Sequence, residues 1–350
     1  MIEANKYIFD LLIKYVKKSD ISTSIEENKR YIKTDCREKE WLKQLKIVEN
    51  QPILPKLKTA SIKFDKIEYF VVVGWDDSVD FEEEIINPIS LNAGLFTALI
   101  FDLQVSIRRK VSAYEIVEKI LYPIEVGEST YSGHDFNEIS DFFEPIYIYE
   151  IPEESPFKDK GIQRISGFYI SKNIHQLALP FSNDTMKIFG KIFIEGSESI
   201  PYENLLLSLT SVSWKYSFLD VYRCIERIFS IFQLDELCQN LSISIPLVKL
   251  SAEIENSLGW KPNEEDTLNK ILDDSPEETI EIFKEVKQVI DNTSKGKVGT
   301  FFYKIRNSIV HYRPATQESK LDYENWDKLI RGSLLVIMYW YERYNLEPGK

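Results

Sequence analysis

The sequence predicts a multidomain fold, an N-terminal α+β domain followed by an all-α helical domain, and two observations support this prediction. Residues 1–199 mix helix-length amphipathic runs with short runs rich in β-branched and aromatic residues. From residue 200 onward, apolar residues recur at helical spacing almost without interruption. The chain has 350 residues and is 43% hydrophobic, which is enough to fill two cores. We therefore assign residues 1–199 to the first domain and residues 200–350 to the second.

The elements of the first domain follow in chain order. Residues 1–18 have the pattern of an amphipathic helix, and a charged helix is expected around residues 25–49. The run at residues 61–75 alternates and then becomes continuously β-branched, which predicts two strands. Residues 91–121 predict one or two helices packed on a sheet. Four short β-rich runs, separated by proline and glycine, are expected between residues 144 and 195.

The second domain is predicted to be a series of helices whose breaks have recognisable causes. Gly259 begins a turn, and Ser275 followed by Pro276 is typical of a helix N-terminus. Pro314 cannot continue a helix and disfavours helical geometry in the residue before it. The helix that precedes this proline should therefore end near Tyr312.

The overall charge limits the classes of function. The formal net charge is −13 and the pI is about 5.0, which argues against a protein that coats nucleic acid by bulk electrostatic attraction. Any contact with RNA or DNA must therefore be local. The N-terminus lacks the small-residue cleavage site of a signal peptide, and the longest apolar runs are too short to span a bilayer. We expect a cytoplasmic protein without a membrane segment.

The three cysteines, Cys36, Cys224 and Cys238, predict reduced thiols in the core. They are widely spaced, form no C-x-x-C pair and have no histidines nearby at metal-ligand spacing. A cytosolic protein keeps such thiols reduced. We therefore expect no disulfide and no metal site at these cysteines, and we assign no cofactor to the chain.

The segment "KIRNSIVHYRP", residues 304–314, combines an arginine, an asparagine and a histidine on one predicted helix. At about 100° per residue, an apolar stripe forms the core face of this helix; it comprises Phe301, Phe302, Ile305 and Ile309. Asn307 and His311 are four residues apart and lie opposite that stripe, and Arg306 lies on its flank. Three polar groups thus point away from the core of the chain.

The same stretch is locally basic, although the chain as a whole is acidic. Between residues 292 and 313 there is no acid, and the five basic residues are Lys295, Lys297, Lys304, Arg306 and Arg313. A positive patch beside a histidine is what a phosphate-handling site requires. On periodicity alone, a surface histidine favoured by the dipole at the helix C-terminus is the more common interpretation of His311.

The motif resembles that of a known protein family, and this resemblance favours a functional role for His311 over a chance surface position. The run from Arg306 to His311 resembles the R-x4-H signature of the HEPN superfamily, in which a polar residue such as Asn307 commonly follows the arginine. Residues 218–232 resemble the long early helix of that family with its glutamate, here Glu226, and residues 326–344 resemble its closing helix. The resemblance covers about the last 145 residues and implies a HEPN-like helical bundle.

The resemblance implies a metal-independent endoribonuclease, of the kind often found in toxins or antiviral defence, with a composite site across a homodimer. His311 would be the general acid or base that handles the proton of the ribose 2′-OH or of the departing 5′-oxygen. Arg306 would stabilise the charge of the five-coordinate transition state. Asn307 would orient the imidazole or bond a phosphate oxygen. The products would be a 2′,3′-cyclic phosphate and a 5′-hydroxyl.

RNA and a second copy of the chain are the partners implied for the helical domain. The candidate RNA contacts are Lys304, Tyr312, Arg313, Lys295 and Lys297. The first domain would restrain, target or trigger the nuclease, in response to a regulatory partner or signal. Two alternatives stay open. The helical domain could be a non-catalytic HEPN module for RNA or protein binding and dimerisation, or the first domain could itself be an enzyme that the helices dimerise.

Three weaker candidates lie in the first two hundred residues. The acidic run at residues 76–84 is either a divalent-cation site or, more commonly for such runs, a solvated loop. His134 and Asp135 are adjacent in a turn-like segment and could form a catalytic pair, but no nucleophile motif accompanies them. His175 is expected in a strand, in a structural role.

Overall fold

The structure is a computed structural model that describes residues 2–19, 30–76, 78–121, 131–290, 296–311 and 321–344. The chain divides into two compact units, Met1–Ile162 and Gln163–Lys350. The predicted order of an α+β region followed by a helical region is confirmed at this coarse level. The division falls between residues 162 and 163, however, and not between residues 199 and 200 as the sequence suggested.

The first unit contains an antiparallel sheet. In chain order its strands are β1 (Lys46–Pro52), β2 (Lys58–Phe64), β3 (Ile67–Val73), β4 (Asn87–Ile89) and β5 (Ile146–Glu150). Within the described residues the spatial order is β1-β2-β3-β5-β4, and each neighbouring pair is antiparallel.

A two-residue turn joins β2 to β3. Asp65 and Lys66 have φ angles of 48° and 68°, and Phe64 is paired directly with Ile67 across the turn. Two consecutive positive φ angles are typical of a type I′ turn, whose twist matches that of the flanking strands. The two strands predicted within residues 61–75 are therefore confirmed, although β2 begins earlier, at Lys58.

Helices cover one face of this sheet. They are α1 (Ile2–Lys17), α2 (Glu38–Gln44), α3 (Ala93–Asp102), α4 (Ala113–Ile116), which continues into a π-helical turn (Val117–Leu121), and α5 (Phe136–Ser140). Ile62, Val71 and Ile148 of the strands belong to the same buried cluster as Leu12 of α1 and Leu99 of α3. Burial of such side chains is the main favourable term that holds this unit together.

The charged helix expected around residues 25–49 is shorter than the sequence suggested. α2 ends at Gln44 and β1 begins at Lys46, while residues 20–29 lie outside the described part of the chain. β1 is an edge strand, with Lys46 and Glu49 exposed. An edge strand with charged residues resembles a surface helix in composition, and pairing with β2 decides its conformation.

The second unit consists mainly of helices. They are α6 (Ile162–Ser171), which begins one residue before the division, a 3-10 helix (Ile174–Gln176), α7 (Asn183–Glu195), α8 (Tyr202–Leu209), α9 (Trp214–Glu226), α10 (Phe229–Leu241), α11 (Leu247–Leu258), α12 (Glu264–Asp273), α13 (Glu277–Ile290), α14 (Val298–Val310) and α15 (Tyr323–Tyr344).

Of the four runs predicted as strands between residues 144 and 195, one forms a strand, β5. The runs at residues 165–171 and 187–196 lie in helices α6 and α7, and the run at residues 175–181 contains no strand. A Cβ atom on Gly167 of α6 would lie 2.1 Å from the ring of Phe193 in α7. Close helix packing at this glycine overrides the strand propensity of the aromatic and β-branched residues around it.

A carboxylate explains why α7 belongs to the second unit. Asp327 of α15 accepts hydrogen bonds from the Ser182 N–H (3.0 Å), the Ser182 hydroxyl (2.6 Å) and the Thr185 hydroxyl (3.0 Å). Ser182 is the N-cap of α7 and its hydroxyl accepts from the Thr185 N–H. The N-terminus of α7 is thus tied to the last long helix of the chain.

The long helix expected at residues 218–232 is interrupted. α9 ends at Glu226 and α10 starts at Phe229. The closing helix, in contrast, is continuous from Tyr323 to Tyr344. Among the described residues, no helix combines the length and the apolar character that crossing a membrane requires.

Candidate active site

The candidate motif lies on α14, which is anchored by its apolar face. Phe302 is fully buried, and its ring centroid lies 5.1 Å from that of Phe218, 5.6 Å from that of Tyr222 and 5.1 Å from that of Phe283. Phe301 and Ile305 are also buried, whereas Ile309 is only half-buried. The core face predicted for this helix is therefore correct over its first three positions.

The start of α14 packs tightly against α12. A Cβ atom on Gly299 would lie 2.6 Å from the Cα atom of Asn269, so a larger residue would push the two helices apart. The Thr300 N–H donates to Asn269 Oδ1 (3.0 Å), and the Thr300 hydroxyl donates to Glu265 Oε1 (2.8 Å). These contacts fix the direction of α14 and hence the position of the polar residues at its other end.

Arg306 is held by its own chain. Its Nη2 donates to Glu226 Oε1 at 3.0 Å, and its Nη1 lies 3.7 Å from Glu264 Oε2. The same Nη1 donates to Asn307 Oδ1 at 3.0 Å. The guanidinium also lies over the ring of Tyr222, 5.6 Å from its centroid. One arginine thus joins the end of α9, the start of α12 and the middle of α14.

The environment of Arg306 is half-buried and acidic. The side chain of Arg306 is 16% exposed, against 34% for Glu226 and 39% for Glu264. Tyr222 below it is buried, and within the described residues its hydroxyl has no hydrogen-bond partner. Burial raises the pKa of Tyr222 well above its usual range, and the positive charge of Arg306 opposes this rise. Tyr222 therefore stays neutral and acts as an apolar and aromatic support.

His311 projects from the end of the helix. α14 ends at Val310, and His311 takes an extended conformation, with φ −104° and ψ 93°. Its N–H donates to the carbonyl oxygen of Asn307 at 2.9 Å, and its side chain is exposed. At 1.5 Å per residue, His311 lies about 7.5 Å along the helix axis from Arg306. The helix ends slightly earlier than expected, and the imidazole is open to solvent.

The predicted catalytic residues are only partly brought together. The Asn307 side chain contacts Arg306, and it is the Asn307 backbone that meets His311. In the described structure Asn307 therefore positions the guanidinium, whereas the sequence suggested that it orients the imidazole or a phosphate. Arg306 and Asn307 form one pair, and His311 stands one helical turn further on.

The candidate RNA contacts separate along α14. Lys304 is exposed at the middle of the helix. Lys297 is at the opposite end from His311, about 21 Å away along the axis, and its Nζ lies 3.4 Å from Asp273 Oδ2. Lys295, Tyr312 and Arg313 lie outside the described residues.

The positive patch expected from the sequence is partly neutralised. No acid occurs within residues 292–313, but neighbouring helices bring Glu226, Glu264 and Asp273 to the basic residues of α14. Sequence reasoning singled out Glu226 without its partner and missed Glu264 and Tyr222. The acidic first turn of α12 predicts a helix start, but nothing in it indicates a contact with Arg306.

The histidine candidates of the first two hundred residues are not part of a catalytic arrangement in the described structure. Asp135 caps α5 by accepting from the Asn137 N–H at 3.0 Å. Its neighbour His134 is buried between the rings of Phe9 and Tyr131, each 5.4 Å away, so the two side chains do not form a catalytic pair in this geometry. His175 is exposed in the 3-10 helix, not in a strand.

The described residues contain no group of three or more His, Cys, Asp or Glu side chains that could hold a metal ion. This statement covers the acidic run at residues 76–84 apart from position 77, which lies outside the described part. Cys36, Cys224 and Cys238 are all described, and none forms a disulfide. Cys224 and Cys238 are buried, whereas Cys36 is exposed, so the prediction of a core position was wrong for Cys36.

Comparison with known proteins gives no match: no protein-family model, no curated protein and no solved structure is similar to this chain.

Proposed function

We propose that the chain is a metal-independent endoribonuclease of HEPN type, acting in the cytoplasm through a composite site at a homodimer interface. The observation that supports the proposal best is the exposed imidazole of His311, one turn beyond a positioned Arg306–Asn307 pair. The resemblance of the motif extends the proposal to a role in antiviral defence or in a toxin system, with the first unit restraining, targeting or triggering the nuclease.

The chemistry needs two imidazoles. One His311 takes the proton of the ribose 2′-OH while the 2′-oxygen attacks the phosphorus atom, and the second gives a proton to the 5′-oxygen as the P–O5′ bond breaks. A two-fold axis beside the end of α14 supplies the second imidazole from the partner protomer. The products are a 2′,3′-cyclic phosphate and a 5′-hydroxyl.

Arg306 stabilises the negative charge that develops on the phosphate oxygens. A guanidinium has five N–H donors, and within the described structure hydrogen bonds to Glu226 and Asn307 use two of them. The remaining donors are available to phosphate oxygens. Glu226, Glu264 and the Tyr222 ring fix the plane of the guanidinium, so the side chain loses little freedom when the RNA binds.

The same contacts favour a second candidate, a non-catalytic HEPN module for RNA or protein binding and dimerisation. In this function Arg306 is a structural brace between α9, α12 and α14, and its charge is consumed by Glu226 and Glu264. Neither His311 nor Arg306 then contributes to cleavage.

A cleavage assay without metal separates the two candidates. Purified full-length protein is incubated with total RNA in EDTA, and the ends of the fragments are analysed. We expect cleavage with 2′,3′-cyclic phosphate and 5′-hydroxyl ends. RNA that stays intact while it binds, both to the full-length protein and to the second unit (Gln163–Lys350) freed from a restraining first unit, would support the module and contradict the nuclease.

The composite site predicts that the surface beside His311 is a dimer interface. Val310 is 46% exposed at this position, so a charge there would be buried without a partner at the interface. We expect Val310→Glu to dissociate the dimer in sedimentation experiments and to lower cleavage in parallel. Val289→Glu is the matched control, because Val289 is also exposed, at 66%, near the end of α13. A Val310→Glu variant that remains dimeric and fully active would contradict the composite site.

A further inference from the structure

A large cavity opens in the first unit, away from the candidate nuclease motif. Its volume is about 880 Å³, within the range of roughly 300–1,000 Å³ that is common for small-molecule sites. α1 forms one wall, residues 30–34 form another, and Lys39 of α2 and Ser132 complete the lining. The cavity is large enough for a ligand several times the size of a phosphate ion.

Hydrogen bonds hold the walls together. The Ile32 N–H donates to Asn5 Oδ1 of α1 at 2.7 Å. On its other side the same segment pairs with His134, whose N–H donates to the Tyr31 carbonyl (2.9 Å) and whose carbonyl accepts from the Lys33 N–H (2.9 Å). The lining residues are therefore positioned by the fold, which lowers the cost of ordering them around a ligand.

The floor of the cavity is apolar and its rim is cationic. Phe9, Ile13 and Ile32 are buried lining residues, and the exposed Tyr31 adds an aromatic ring. The charged lining residues are Lys6, Arg30, Lys33, Lys39 and Asp10, four cations against one carboxylate. In a chain with a net charge of −13, this excess of cations is a local feature.

The lysines of the rim are not balanced by salt bridges. Lys6 and Lys33 are exposed, and Lys39 is half-buried. Within the described structure, no salt bridge joins a carboxylate to any of these three lysines. Their charges are therefore available to an anion.

His134 lies next to the cavity, within the positive electrostatic potential of two of its lining residues. It is 5% exposed, contacts the lining residue Phe9, and in the described structure its Nε2 has no hydrogen-bond partner. Burial, together with the positive charges of Arg30 and Lys33, lowers the pKa of His134 to about 4. Two cations of the cavity thus act on one buried, neutral imidazole.

We propose that this cavity binds a nucleotide, with its phosphates against Lys6, Lys33 and Lys39 and its base against the apolar floor formed by Phe9, Ile13 and Ile32. An inorganic anion would leave the apolar floor uncovered, and an uncharged aromatic compound would leave the lysines without a counter-charge. A phosphorylated compound with a flat base satisfies both parts. The proposal does not depend on the nuclease function, because it concerns binding to the first unit.

Isothermal titration of the full-length protein with ATP, adenosine and pyrophosphate tests the proposal. We expect ATP to bind. Adenosine and pyrophosphate should each bind at least about tenfold more weakly, because adenosine lacks the phosphates and pyrophosphate lacks the base. The double variant Lys6→Glu, Lys33→Glu should weaken ATP binding by about tenfold or more. Both lysines are exposed, and an unchanged circular dichroism spectrum verifies that the variant folds.

The matched control is Lys14→Glu, Lys17→Glu, which reverses the same number of charges on exposed positions of α1 that do not line the cavity. It should bind ATP like the unmodified protein. The proposal is overturned if ATP shows no binding at about 1 mM, if pyrophosphate or adenosine binds as well as ATP, or if the control pair weakens ATP binding as much as the cavity pair.

Discussion

Replacing His311 by alanine is expected to lower the rate of RNA cleavage by about 10²–10⁴-fold, the usual contribution of a general acid or base. The side chain is exposed and outside the helix, so its removal should leave the fold and the thermal stability unchanged. RNA binding should also persist, because one imidazole adds little to the attraction for phosphate. The measurement is the cleavage rate in EDTA together with RNA affinity and melting temperature.

His175→Ala provides the control for this substitution. His175 is another exposed histidine of the second unit, in the 3-10 helix Ile174–Gln176, and its loss should have no effect on cleavage. Equal rates for the His311→Ala variant and the unmodified protein would remove the imidazole from the mechanism and with it the nuclease proposal.

Replacing Arg306 by alanine should lower cleavage by about 10²–10³-fold through lost stabilisation of the transition state. It should also lower the free energy of unfolding by about 1–2 kcal/mol, because Glu226 and Glu264 would face each other without their shared cation at partly exposed positions. The stability loss is expected in either function, so the cleavage rate is the decisive quantity.

Two further variants separate the structural contribution of Arg306 from the catalytic one. Glu226→Gln keeps the shape of its side chain but removes one carboxylate charge, so it should preserve cleavage while costing less than about 1 kcal/mol of stability. Arg223→Ala removes an ion-paired arginine outside the motif. Arg223 lies in α9 and contacts Asp220 at 2.6 Å, and its loss should leave cleavage unchanged. If Arg306→Ala lowers the free energy of unfolding but leaves the cleavage rate unchanged, Arg306 only links α9, α12 and α14. The non-catalytic module is then the correct function.

Much of the second unit could be predicted because helical periodicity is a local signal. The first three positions of the apolar stripe of α14 and the closing helix follow from spacing within one element. The expectation that Arg306 points away from the core of the chain was wrong, because its guanidinium lies over the buried Tyr222 ring and bonds Glu226. The same signal failed for α6 and α7, where aromatic and β-branched residues on short helices have the composition of strands. Their conformation is decided by packing at Gly167 and by hydrogen bonds from Asp327, which is 145 residues away from Ser182.

The electrostatics of the site could not be predicted for a related reason. Arg306 and Glu226 are 80 residues apart in the chain, and Glu264 comes from a third helix. A count of charges along residues 292–313 gives a positive patch, whereas the folded chain brings acids from two other helices to it. A count of charged residues along one segment gives the charge of the folded surface only where neighbouring helices and strands contribute no charged side chains.

The pairing of Arg306 with Glu226 and Glu264 has a consequence for how a polyanion would approach. A cation that is already compensated by nearby carboxylates creates little field beyond about 8–10 Å, the screening length at physiological ionic strength. Diffusing nucleic acid would therefore receive little guidance from this arginine and would feel it only after docking. If the proposed nuclease function holds, selection among RNAs would then rest on close fit at the proposed dimer surface, with long-range capture left to other parts of the chain.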